Sequence, residues 1–115
     1  MKSGIMFEQG DILIVPFPFS DLSSIRYRPV LVLSNNSDNI FSDDIIICGI
    51  TSNLKDTKHS VLIDNSSLKE GNIPITSRIK IDKLFTIEKN LIKKKIGRIN
   101  KETFEKVESG FIDLV

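Results

Sequence analysis

Arg28 and Thr51 are the two side chains whose chemistry and setting point most clearly to an anion site. Arg28 opens the run Pro29-Val30-Leu31-Val32-Leu33, and Thr51 closes Ile45-Ile46-Ile47-Cys48-Gly49-Ile50. A guanidinium offers five donors in a planar fork that fits phosphate oxygens. A threonine hydroxyl both donates and accepts, so at a strand end it can hold a phosphate oxygen or a ribose hydroxyl. Each also has a plainer role: Arg28 pairs with a carboxylate such as Asp21 or Asp82, and Thr51-Ser52-Asn53 is turn chemistry. A third group is Arg78-Ile79-Lys80-Ile81-Asp82-Lys83. Period-two alternation puts Arg78, Lys80 and Asp82 on one strand face, two cations around a carboxylate, with Ile79 and Ile81 on the other. Cross-strand ion pairs on a solvated face are the alternative use of that pattern.

Other reactive groups narrow the chemistry. His59 is the only histidine, in a turn, so an acid–base pair of histidines within one chain is excluded. Cys48 is the only cysteine and sits in an apolar run, which reads as core filling and rules out an internal disulfide. One Cys and one His give no zinc-type ligand cluster, so neither metal nor cofactor is expected. Lys89, Lys93, Lys94, Lys95 and Arg98 form a basic stretch that reads as solvated surface or as a contact for phosphates or an acidic partner.

The elements that must position these groups follow from the hydrophobic pattern. Branched apolar runs bounded by Gly, Pro, Asn and Asp predict strands near 11–17, 28–34, 44–51 and 60–64, a long one over 75–87 and a short one near 95–99. Pro16 and Pro18 remove ladder donors, so a loop is expected from there to Tyr27. Asn35 to Asn39 is a turn cluster leading into a single helical turn around Ile40-Phe41. Asn65-Ser66-Ser67 and Glu70-Gly71-Asn72 read as further turns. The last helix has Asn100 as N-cap, Glu102 and Glu105 near the positive end of its dipole, and an apolar stripe of Phe104, Val107, Phe111 and Leu114. Gly110 weakens it by roughly 1 kcal/mol relative to Ala.

At 115 residues the chain reads as one domain over 1–115. It is mainly β, with a small barrel closed by a C-terminal helix as the natural architecture. Sixteen basic against fifteen acidic side chains give a net charge of +1, which argues against nucleic-acid binding by bulk charge alone. No apolar stretch approaches the ~18 residues of a membrane helix, and residues 1–5 lack a secretory h-region, so a cytoplasmic protein without a membrane partner is expected.

Taken in order and spacing, Gly10-Asp11, Arg28-Pro29-Val30-Leu31-Val32, Ile50-Thr51-Ser52, Asp82 followed by Thr86-Ile87-Glu88, and the terminal helix resemble the MazF/PemK family of toxin ribonucleases, which includes the Kid toxin. The resemblance runs from about Gly10 to Val115. It implies an SH3-like barrel, a fold shared with the gyrase poison CcdB, and a homodimer that cuts single-stranded RNA without metal. It also implies a cognate antitoxin that wraps the dimer and blocks the RNA groove. By position it assigns catalysis to Arg28 and Thr51, and matches Lys80 and Asp82 to the basic residue and aspartate of the Kid-like branch. On that footing Asp82 is the candidate general base, and Arg26, Ser52, Asn53, Arg78 and Lys80 are candidate RNA-binding residues. Tyr27, Phe17 and Phe19 are a possible stacking face, with core packing the plainer role of the phenylalanines.

Two departures stand out. The Ser20–Tyr27 loop is shorter than in better-known members, with Asp21-Leu22-Ser23-Ser24-Ile25 where a Gly-Ser-Glu-type stretch is usual. Lys80 replaces an arginine, which keeps the charge and loses the planar fork. The same resemblance leaves open a gyrase inhibitor of the CcdB kind, or a member that binds RNA or antitoxin without cutting.

Overall fold

The computed structural model describes residues 6–18 and 25–115. Phe19, Asp21 and most of the loop expected after Pro18 lie outside the described residues. Seven strands, β1 (Asp11–Pro18), β2 (Ile25–Val32), β3 (Asp44–Thr51), β4 (Ser60–Ile63), β5 (Leu68–Gly71), β6 (Ser77–Glu88) and β7 (Lys94–Ile99), join two helices, α1 (Asn36–Phe41) and α2 (Lys101–Leu114). All pairings are antiparallel, in the order β4-β6-β3-β2-β1-β7-β5. A short 3-10 turn at Asn65–Ser67 links β4 to β5, the two outer strands. The expected mainly β fold with a C-terminal helix is what forms, as a half-barrel. Among the described residues, no helix is long and apolar enough to cross a membrane.

Alternation buries both faces of the sheet. Ile12, Leu31, Cys48, Ile50, Ile79 and Ile81 form one cluster, closed by Val107 of α2. Leu13, Val15, Val30, Val32, Ile45, Ile47 and Ile87 form the other, with Phe7, Phe17, Phe85 and Ile92 packed against it. The cap of α2 is as expected: the Thr103 N–H donates to Asn100 Oδ1 at 2.8 Å. Gly110 has a packing reason, because a Cβ there would stand 2.5 Å from Ile81 Cδ1. The glycine lets α2 approach the sheet closely.

Two expectations are corrected. First, β1 continues through Pro16 to Pro18, paired with β2 from Ile25 onward. Ile14 turns its main chain towards β7, since its carbonyl accepts from the Lys93 N–H at 2.9 Å. Pro16 and Pro18 share that parity, so their missing donors face a side where β7 pairing has already ended at Ile14. No β1–β2 bond is lost. Second, Glu70-Gly71 belongs to strand β5 and not to a turn, paired with Arg98 and Gly97 of β7. Gly71 has φ +79, and a Cβ on it would lie 2.2 Å from the Ile96 carbonyl oxygen, so only glycine fits this approach.

Asp11 shows what its place at the start of β1 is for. It is fully buried. Its carboxylate accepts from Arg98 Nε at 2.7 Å and from the Glu8 N–H at 2.9 Å, with Lys95 Nζ at 3.3 Å. Glu8 and Glu70 complete the shell at 2.7 Å from Arg98 Nη2 and 3.0 Å from Lys95 Nζ. The bond to Asp11 and the surrounding carboxylates hold the Arg98 guanidinium still more firmly protonated.

Candidate active site

Pairing between β2 and β3 stops at Val30–Gly49. Pro29 explains the stop: opposite Ile14 in β2–β1 pairing, it turns its main chain towards β3, where it has no N–H to give. The same register carried two residues further sets Arg28 opposite Thr51, at strand ends released from each other. Both residues line two adjoining hollows, of about 580 and 560 Å³, and with Pro29 and Ile50 they form the ridge between them.

The first hollow is cationic. Lys55, Lys80 and Lys83 line it together with Asn53, Thr57, Asp82 and the apolar walls Phe17, Leu84 and Phe85. Lys80 Nζ donates to Thr57 Oγ1 at 2.6 Å and stands 3.9 Å from Asp82 Oδ1. Asp82 reaches the hollow through a bulge: Gly49 pairs with Lys80 but Cys48 with Leu84, leaving Ile81, Asp82 and Lys83 without β3 partners. The expected alternation holds up to this point, with Ile79 and Ile81 buried and Arg78 and Lys80 half-buried on the opposite face.

Thr51 does turn chemistry and keeps a donor. Its Oγ1 accepts the Asn53 N–H at 3.1 Å, which fixes the oxygen and leaves the hydroxyl proton for another acceptor. Asn53 Oδ1 accepts from the Lys55 N–H at 3.1 Å. Arg78 is engaged in holding this loop: Nε donates to the Leu54 carbonyl at 3.0 Å, and Nη1 stands 3.3 Å from Ser60 Oγ and from Asp56 Oδ1. It lines neither hollow, whereas Arg26 and Ser52 line the second.

Lys55, Thr57 and Lys83 were not expected here. The alternation of β6 assigns Lys83 to the inner face, and only the bulge turns it out. Of the basic stretch, Lys95 and Arg98 are engaged by Asp11, Lys94 lines the second hollow, and Lys93 Nζ lies 4.4 Å from the Tyr27 ring centroid. Phe17 packs edge-on against Phe85 at 4.9 Å. Burial, with the charge of Asp82, pushes the Cys48 thiol up to about 12, so it carries no thiolate for nucleophilic work. Among the described residues, no group of His, Cys, Asp or Glu is arranged to hold a metal ion.

Comparison with known proteins identifies the family and the fold. Residues 8–115 match the family described as PemK-like, MazF-like toxin of type II toxin-antitoxin system. Endoribonuclease EndoA of Bacillus subtilis is 27% identical over 112 residues, covering 92% of this chain and 91% of that one. Endoribonuclease MazF of Staphylococcus saprophyticus is 25% identical over 113 residues, covering 91% and 88%. In fold, a MazE-MazF crystal structure from Deinococcus radiodurans superposes with a TM-score of 0.79 at 15% identity, covering 96% of each chain. A mycobacterial endoribonuclease in complex with its cognate antitoxin gives 0.72 at 19%, covering 92% and 91%.

Proposed function

The chain belongs to the PemK-like, MazF-like toxin family of type II toxin–antitoxin systems, and on that premise we propose that it is an endoribonuclease cutting single-stranded RNA at the Arg28–Thr51 ridge. The 2′-hydroxyl beside the scissile bond attacks phosphorus, the bond to the 5′-oxygen breaks, that oxygen takes a proton from water, and the products are a 2′,3′-cyclic phosphate and a 5′-hydroxyl. Arg28 places its fork on the phosphate oxygens, where charge builds up in the transition state. The Thr51 hydroxyl donates to a phosphate oxygen and aligns the reacting group. Asp82 takes the proton of the 2′-hydroxyl, while Lys55, Lys80 and Lys83 hold the neighbouring phosphates. Arg26, Ser52 and Asn53 contact the strand on either side of the ridge. Arg78 acts one step back, by fixing the loop that carries Asn53 and Lys55.

The observation that carries this reading is the shared ridge. A guanidinium and a hydroxyl distant along the chain line the same two hollows. Incubation of the purified protein with single-stranded RNA in excess EDTA tests it. Cleavage to cyclic-phosphate ends that is abolished in Arg28→Ala is expected; intact RNA, or cutting indifferent to that substitution, overturns it.

A small antitoxin would silence the enzyme by covering the ridge, as the partner of a toxin in such a system must. The enzyme works as a homodimer in the cytoplasm, where its RNA is. An apolar stripe suits self-association: Phe41, Ile46, Leu84 and Phe111 are all exposed, Phe41 by 87%, and Leu84 also walls the first hollow. Two hollows that share Ser34 and Ile46 run along it.

A further inference from the structure

We infer that Thr57 is a positioning residue for the reaction, its hydroxyl aiming the Lys80 ammonium at an incoming phosphate; this rests on the endoribonuclease reading above. A lysine head is a point charge on a flexible four-carbon stem, whereas an arginine carries its donors in a fixed planar fork. A lysine that must meet one phosphate therefore gains from a partner that sets its direction. Here Lys80 Nζ donates to Thr57 Oγ1 at 2.6 Å, and Asp82 Oδ1 stands 3.9 Å away. Of the three ammonium donors, one is committed to Thr57 and one side is drawn to Asp82. The third is left for a phosphate oxygen in the first hollow, which Lys80, Thr57 and Asp82 all line. The Lys80 side chain is only 18% exposed, so the head is what remains to be aimed.

Thr57 can set that direction because it is itself held. Its carbonyl accepts the Ser60 hydroxyl at 2.8 Å. On its other side, Arg78 Nε donates to the Leu54 carbonyl at 3.0 Å, and Nη1 stands 3.3 Å from Asp56 Oδ1. The loop is thus tied down before and after Thr57, and its hydroxyl is brought to Lys80 on braced main chain. The cross-strand neighbours of Lys80 are Gly49 and Ser60. Gly49 has no side chain to offer, and the Ser60 hydroxyl is turned to the Thr57 carbonyl. The orientation of the ammonium therefore falls to Thr57. A bond that only pinned the loop would serve several phosphate contacts alike; a bond that aims Lys80 serves one.

A phosphate scan separates the two roles. Short 2′-O-methyl oligonucleotides, of a sequence selected for binding from a randomised pool, are held without being cut because the attacking hydroxyl is blocked. A methylphosphonate placed at each linkage in turn removes one negative charge, and the loss of affinity marks each phosphate that the protein holds. The linkage whose effect disappears in Lys80→Met is the one held by Lys80, and about tenfold in affinity is expected there. Thr57→Val is expected to erase the effect of that same linkage, with the other linkages keeping theirs, and Thr57→Ser to retain it. An unchanged scan in Thr57→Val overturns the inference. So does a scan flattened at several linkages together, which would make the bond a loop staple, and so does a Lys80→Met scan identical to that of the wild type. No binding of any selected oligonucleotide overturns it as well. A wild-type protein that cuts RNA without this link between Thr57 and Lys80 leaves the endoribonuclease reading standing and this inference fallen. The link in a protein that binds but cuts no RNA does the reverse.

Discussion

The chain gathers Asp, Arg and Lys in two places, and it uses them in opposite ways. At the start of β1, Asp11 is fully buried and draws in Arg98 and Lys95, which Glu8 and Glu70 pair with from the outer side. At the Arg28–Thr51 ridge, cations of similar kind face open hollows, and Asp82 is 39% exposed. Residue type alone does not separate structure from chemistry. What separates them is whether the charged groups are closed in the interior or line hollows open to something from outside.

Substitutions can break that contrast, and the largest effect is expected at the closed cluster. Asp11→Ala leaves Arg98 and the Glu8 N–H facing an empty site and should cost about 3–5 kcal/mol of folding stability, measured by denaturant unfolding. Arg28 is exposed, so Arg28→Ala should cost less stability than that, with the cleavage rate reduced by about 10²–10³-fold. A stability loss in Arg28→Ala as large as in Asp11→Ala would erase the distinction. Thr51→Val keeps shape and removes both the donor and the acceptor of the Asn53 N–H, so a loss of about 10-fold in rate is expected. On the proposed homodimer, a charged residue at Ile46 should shift the equilibrium towards monomer in light scattering at micromolar concentration.

The smallest effect concerns acid. Lys95, by hydrogen bond and charge, and then Arg98 hold the Glu70 carboxyl below its ordinary 4.5. Its contribution is therefore present above that value and lost as pH falls through the lowered one. Glu70→Gln should lower stability slightly and evenly above about pH 5 and leave the most acid region unchanged, so that the fall across the acid limb is shallower.

Much of this was legible in the residues themselves. The cores of six strands and helix α2 with its Asn100 cap follow from periodicity and local capping, which need no distant partner. Strand β5 was hidden because Lys69-Glu70-Gly71 shows no apolar alternation, and its place depends on Gly71 fitting against Ile96 and Gly97. The prolines of β1 misled because a missing donor matters only where a neighbouring strand waits for it. The pairing of Arg28 with Thr51 depends on long-range register, and the sequence pointed to it through family likeness. The place of Lys83 in the site had no signal, since it depends on a bulge.

Of the three β6 residues without β3 partners, Ile81 is buried and its N–H donates to the His59 carbonyl at 2.9 Å, so the slack of that strand lies at the exposed Asp82 and Lys83. Insertions or deletions there would be absorbed locally, while the flanking pairs Gly49–Lys80 and Cys48–Leu84 held the scaffold. Divergence within the family thus has a place to retune which charge meets the substrate without repacking the interior.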